Sequence, residues 1–250
     1  MCSIDSYDAI VTGASTPSGP NDNPFVSRGG LKLRHALDAF SIDPTSWWAA
    51  DLGCSTGGFT DCLLQGGAAR VWSVDTAYGE LAWKLRQDER VTVMERTNAL
   101  HAEIPSGVVE HGGVDLVVID LGWTPQAKAI PAALRWVRGG CHDSPSSTQS
   151  CRPAPAPSTA APQTASSGTH LSTGLVITLI KPHYEVDKSE LGPKGVLDPE
   201  RAAAVVDEAI AAMPGLGVRV LGCVESPVLG GKKKGKGTGN KEWLAALTPG

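Results

Sequence analysis

Four charged residues of this chain stand where a charge needs a reason. Asp120 and Lys181 each end a strongly apolar run, Val114 to Asp120 and Leu175 to Lys181. Such runs read as strands buried on both faces. Lys32 lies in an amphipathic stretch near the start, and Glu242 opens the last short apolar run. In an open α/β sheet, ligands bind in the crevice beyond the carboxyl ends of the strands. Two ammonium groups and two carboxylates gathered there suit proton transfer. A lysine can act as a base once desolvation and a second cation lower its pKa.

A second constellation surrounds the turn Asp51-Leu-Gly-Cys-Ser-Thr-Gly-Gly58, between a strand and a helix. Gly53, Gly57 and Gly58 permit close approach of backbone to a ligand, and the helix start offers free N–H groups. Asp51, Ser55 and Thr56 complete this candidate cofactor loop. Asp75 ends the next strand, where a carboxylate can accept both hydroxyls of an adenosine ribose. Asn98, just past the third strand, is placed either to meet an adenine edge or to serve as a polar turn residue. The glycine spacing is GxxxGG rather than GxGxxG, which disfavours a nicotinamide dinucleotide. Together these residues predict a nucleotide-type site.

The elements that must hold these residues alternate. Leu33, Ala36, Leu37 and Phe40 recur at helical spacing, with Ser27 as a candidate cap. Strands are expected at Trp47 to Leu52, Arg70 to Asp75, Val91 to Glu95, Val114 to Asp120, Leu175 to Ile180, Gly217 to Val224 and Glu242 to Leu247. Helices are expected over 58–65, 79–87, 126–137 and 199–212. This alternation predicts an α/β fold with a mostly parallel sheet and helices on both faces. Residues 1–25 are polar and rich in Pro and Gly, and read as a flexible arm before a domain spanning 26–250. Residues 142–173 are Ser, Thr, Pro and Ala with few large apolar side chains, and read as a disordered insertion.

Composition narrows the class. The 250 residues suffice for one α/β domain, and 41% hydrophobic with 19% charged residues is ordinary for a globular protein. No apolar run is long enough to span a bilayer, and no leader is read at the start, so a cytoplasmic protein without membrane partners is expected. Six cysteines form no CxxC pair and no zinc-like set, so reduced thiols and no metal are expected. The net charge of −4 means that any nucleic-acid contact must rest on a local basic patch. Lys232-Lys-Lys-Gly-Lys236 is one candidate.

Several blocks together carry a resemblance. They are Val26-Ser-Arg-Gly-Gly-Leu-Lys-Leu33, Asp51 to Leu64, Tyr78-Gly-Glu-Leu-Ala-Trp-Lys-Leu-Arg-Gln-Asp88, Glu95-Arg-Thr-Asn98 and Ile180-Lys-Pro-His-Tyr-Glu185. In this order they resemble the TlyA/hemolysin A-like branch of the FtsJ-type RNA methyltransferases. The resemblance implies a Rossmann-like fold, S-adenosyl-L-methionine as cofactor and ribose 2′-hydroxyls of ribosomal RNA as the target. It also implies a catalytic tetrad of Lys32, Asp120, Lys181 and Glu242, with Asp120 also facing the cofactor. Lys181 would be the base, its pKa lowered by burial and by Lys32, while Asp120 and Glu242 orient the ammonium groups.

The chain departs from that family at identifiable places. Family members usually carry an N-terminal S4-type RNA-binding domain, and none is read here. Leu121-Gly-Trp-Thr-Pro125 replaces the usual Val-Ser-Phe after the aspartate, and Lys181-Pro-His-Tyr-Glu185 replaces the commoner Lys-Pro-Gln-Phe-Glu. Glu185 and Glu225 compete with Glu242 for the fourth tetrad position. Three other functions compete with RNA methylation: a non-catalytic ribosome-assembly factor, a membrane-lytic protein and a nicotinamide-dependent oxidoreductase.

Overall fold

A computed structural model describes residues 23–140, 173–230 and 239–250. The arm before residue 23, the Lys232–Lys236 run and nearly all of the 142–173 segment lie outside the described residues. Packing begins at Phe25, whose ring is buried against Gly30, and the Val26 amide donates to Asp61 Oδ2 at 2.8 Å.

The apolar runs form one seven-stranded sheet. The strands are β1 (Trp48–Leu52), β2 (Arg70–Val74), β3 (Val91–Met94), β4 (Leu116–Ile119), β5 (Leu175–Ile180), β6 (Val218–Glu225) and β7 (Trp243–Pro249). Their spatial order is β3-β2-β1-β4-β5-β7-β6. Strands β1 to β5 run parallel, while β7 is antiparallel to both β5 and β6. The order reverses between β1 and β4, the topological switch point where such sheets open a ligand crevice.

Among the described residues, six α-helices accompany the sheet: α1 (Gly29–Ala39), α2 (Gly58–Gln65), α3 (Trp83–Arg86), α4 (Ser106–Glu110), α5 (Gln126–Leu134) and α6 (Pro199–Ala212). The core has two main parts. Leu33, Leu37, Leu63, Ile177 and Leu244 are among the buried residues of one, and Leu52, Ile119, Ile130, Trp136 and Ile180 of the other. Alternate residues of the central strands thus supply opposite faces.

Several elements differ from expectation. The helix expected over 79–87 is a single turn, because Gly79 adopts φ 77° and its amide is drawn to Glu95 Oε1 at 2.7 Å. Helix α4 went unread, since five residues are too few for an apolar period. Helix α5 ends at Leu134 rather than 137. Ser27 does not cap α1 with its side chain; its carbonyl accepts from Gly30 N at 3.1 Å instead. Strand β7 runs longer than expected, through Pro249.

The described ends of the 142–173 segment meet. The Gly174 amide donates to Arg138 O at 2.8 Å, and a Cβ on Gly139 would fall 2.8 Å from Thr173 Cγ2. A short Gly/Ser bridge can therefore replace residues 142–172 without moving either end. The variant is expected to lose no more than about 0.5 kcal/mol of stability, as for surface changes generally. Thermal unfolding checks this, and a markedly lower midpoint would show that the segment packs on the domain.

Candidate active site

Register along the carboxyl edge of the sheet assembles the site. Asp120 follows β4 and Lys181 follows β5. Ile180 pairs with Trp243 across the β5–β7 ladder, so Lys181 and Glu242 are the next two residues beyond that pair. Lys32 arrives from α1, which packs on α2 and β7.

The four form two ion pairs. Lys32 Nζ meets Glu242 Oε2 at 2.5 Å, with side-chain exposures of 11% and 4%. Lys181 Nζ pairs with Asp120 Oδ1 and donates to Leu121 O at 3.1 Å. A Cβ on Gly230 would fall 2.0 Å from Glu242 Oε1, so glycine there lets the backbone press against this carboxylate. The competing acids are occupied elsewhere. Glu225 pairs with exposed Lys241 at 3.0 Å. Glu185 accepts from the Gln126 amide at 2.9 Å, capping the start of α5, and burial pushes its carboxyl upward. The arrangement therefore brings Glu242, rather than Glu185 or Glu225, to the two lysines.

The expected depression of the Lys181 pKa is overturned. Burial is the largest single influence and does pull it down. The charge and hydrogen bond of Asp120, with Glu242 adding to them, outweigh burial, and the net shift is upward. The reason is pairing: Glu242 holds the charge of Lys32, while Asp120 sits on Lys181 itself. His183 moves the other way, down to about 4, through burial first and the Lys181 charge second. It is neutral near pH 7 and is no acid there.

The Gly-rich turn lies beside this cluster. Gly53 and Gly57 both adopt φ 94°, which disfavours any other residue. Their glycine character serves packing within the protein. A Cβ on Gly53 would meet Asp120 O at 2.7 Å, one on Gly57 would meet Leu85 Cδ1 at 2.3 Å, and one on Gly58 would meet Ser27 Oγ at 2.2 Å. The turn is thereby pressed against the end of β4, against α3 and against the start of α1.

Asp51 is fully buried beneath the turn. Its Oδ2 accepts from Thr60 N at 2.9 Å and Thr60 Oγ1 at 2.7 Å, and its Oδ1 has no partner. Burial, with the charges of Asp120 and Asp75 adding to it, raises its carboxyl to about 7, although the Thr60 hydrogen bonds oppose the shift. Asp51 thus shapes the turn from below. Asp75 is half-buried, with Oδ2 accepting from Ser55 N and Oδ1 from Ala77 N, each at 2.8 Å. Thr56 lies in the same turn, and its carbonyl accepts from Ala82 N at 3.2 Å. Asn98 is exposed and folds its side chain back, accepting from Leu100 N at 3.0 Å. A left-handed turn, a carboxylate at the end of β2 and an unpartnered oxygen beneath them fit a nucleoside cofactor bearing positive charge.

An aromatic pair also borders the cluster. Trp123, 75% exposed and at φ 54°, stacks on Tyr184 with ring centroids 4.7 Å apart. Lys181 Nζ lies 5.7 Å from the Tyr184 ring. Neither aromatic was singled out from sequence, although a tryptophan between Gly122 and Pro125 in a strand-exit loop has little core to join.

Comparison with known proteins identifies the family. The FtsJ-like methyltransferase family matches residues 25–235. A 16S/23S rRNA (cytidine-2′-O)-methyltransferase, TlyA of Mycobacterium tuberculosis, is 37% identical over 88% of this chain and 69% of its own length. A Bacillus subtilis protein named as an rRNA methyltransferase, YqxC, is 35% identical over 89% of this chain, which spans 65% of that relative's length. A solved structure from Streptococcus thermophilus, named as a hemolysin, superposes with a TM-score of 0.70 at 30% identity, covering 92% of this chain and 69% of the other. Among the described residues, no helix is long and apolar enough to cross a membrane. The chain belongs to the FtsJ-like methyltransferase family.

Proposed function

We propose that this protein transfers a methyl group from S-adenosyl-L-methionine to a ribose 2′-hydroxyl of RNA, with ribosomal RNA as the substrate and the cytoplasm as its location. The observation that carries the reading is the meeting of the Lys32–Glu242 and Asp120–Lys181 pairs at the carboxyl edge of the sheet. A hydroxyl held between two such pairs can be both oriented and deprotonated.

The cofactor, when bound, supplies the methyl group and its own leaving group. Gly53, Ser55, Thr56, Gly57 and Gly58 form the turn against which it rests, with Asp51 bracing the turn. Asp75 would accept the cofactor's ribose hydroxyls, Asn98 would border its adenine, and Asp120 would link this site to the tetrad. Lys32, fixed by Glu242, holds the acceptor oxygen. Lys181 is an ammonium in the free protein and must first release its proton to solvent. Its neutral Nζ would then accept the 2′ proton.

Mapping 2′-O-methylation across ribosomal RNA from cells with and without the gene tests the reading. A position that loses its methyl group supports it, and an unchanged map overturns it.

Asp75 gives a prediction within this reading. A hydrogen bond to a charged group contributes roughly 1.5–3 kcal/mol. Asp75→Ala removes two acceptors from the cofactor and is expected to weaken its binding at least about tenfold. Calorimetry with a folded variant checks this, and unchanged affinity removes Asp75 from the site.

A further inference from the structure

A cleft outside the tetrad remains without a role. It has a volume of about 370 Å³ and lies between α5 and the stretch after β3. Both walls leave the carboxyl edge of the sheet. The stretch is tied to Asn98 through the His101 amide, which donates to Asn98 O at 2.9 Å. Helix α5 starts at Gln126, whose side chain bonds to Thr178 and Leu179 of β5. Arg135 joins the walls by donating to Ala102 O at 3.0 Å.

The lining has two characters. Leu100, Pro131 and Ala132 are apolar, while His101, Lys128 and Arg135 are basic. His101 and Lys128 are exposed, and their side chains have no hydrogen-bond or ion-pair partner among the described residues. Among the described residues, no carboxylate lines the cleft. In a chain of net charge −4, three basic groups around one apolar cleft make a local exception. The volume falls in the usual range of small-molecule sites, roughly 300–1,000 Å³.

We infer that this cleft holds one nucleotide of a single-stranded RNA substrate, its base over Leu100, Pro131 and Ala132 and its phosphates toward Lys128 and His101. The inference rests on the proposed RNA substrate and deepens it. Base contact with an apolar floor and phosphate contact with a lysine are both indifferent to sequence, so the cleft adds affinity and register rather than specificity.

The test compares the full chain with its Lys128→Gln and His101→Ala/Lys128→Gln variants. Both side chains are exposed and have no partner among the described residues, so folding should be retained. The probes are two labelled single-stranded RNAs of different sequence, titrated at several salt concentrations. Loss of one phosphate contact is expected to flatten the log–log salt slope by about 0.7, and to weaken both RNAs alike at low salt. Calorimetry should show unchanged S-adenosyl-L-methionine affinity. An unchanged salt slope in the variants, with the parent still binding RNA, overturns the cleft alone. A fall in cofactor affinity also overturns it, by making the cleft part of the adenine site. A parent chain that binds neither RNA overturns this inference and the proposed substrate together.

Discussion

Replacing Lys181 by alanine is expected to cut methyl transfer by roughly 10²–10⁴-fold, the usual contribution of a positioned base, while leaving cofactor binding nearly intact. Lys181→Arg should be almost as damaging, because a guanidinium stays protonated and cannot take the 2′ proton. The upward shift of the Lys181 pKa adds a second expectation with a definite sign. The free protein carries the ammonium form at pH 7, and only its neutral fraction is competent. That fraction grows about tenfold for each pH unit below the pKa. The kcat/KM for RNA, which reports the free enzyme, should therefore climb steadily from pH 7 to 9 without a plateau. Asp120→Asn removes the main charge that holds the proton and should move this limb to lower pH. Single-turnover methylation across pH by parent, K181A, K181R and D120N checks all of this. Near-normal turnover by K181R would remove the base role, and a rate flat from pH 7 to 9 would show that Lys181 is not the group titrating.

The second large effect is expected at Glu242, in both stability and activity. The Lys32–Glu242 pair is almost sealed from solvent. Removing one partner of a buried pair leaves an uncompensated charge and costs about 3–5 kcal/mol. Glu242→Leu should therefore lower the denaturant midpoint sharply. Lys32→Met together with Glu242→Leu should recover much of that loss, since an apolar pair can replace a buried ion pair at little cost. The double variant should nevertheless be inactive, because neither remaining side chain can hold the acceptor oxygen. Equilibrium unfolding of the two singles and the double gives the coupling energy, and methylation by the recovered double gives the function. Full activity in a stable double variant would make the pair purely structural.

The parallel sheet was legible because its strands are short apolar runs bounded by glycines and charges, as at Val114 to Asp120. Asp120 and Lys181 stood out for the same reason, as charges at the ends of such runs, whereas Lys32 lies within helix α1 and stands out less. What sequence could not convey was pairing. The Lys181 shift depends on which carboxylate touches which ammonium, and that is settled by the register Ile180–Trp243 and by the position of α1. The glycines were legible as a turn, but their partners were not. Gly58 is small to admit Ser27 and the start of α1, a contact between residues 31 positions apart. Helix α4 escaped altogether, and the helix expected over 79–87 is only the turn Trp83–Arg86, held by Leu85 against Gly57 and by Arg86 pairing with Glu95.

Lys32 and Glu242 are separated by 210 residues, and this has a consequence for biosynthesis. A ribosome releases the helix bearing Lys32 long before it releases Glu242. Strand β7, which carries Glu242 to the edge of the sheet, must insert between β5 and β6 after both have been made. Until then Lys32 lacks its counter-ion. The two ion pairs are complete only once β7 is in place. On the proposed function, a nascent chain would lack methyl transfer while still being translated, and would acquire it in one late, long-range step.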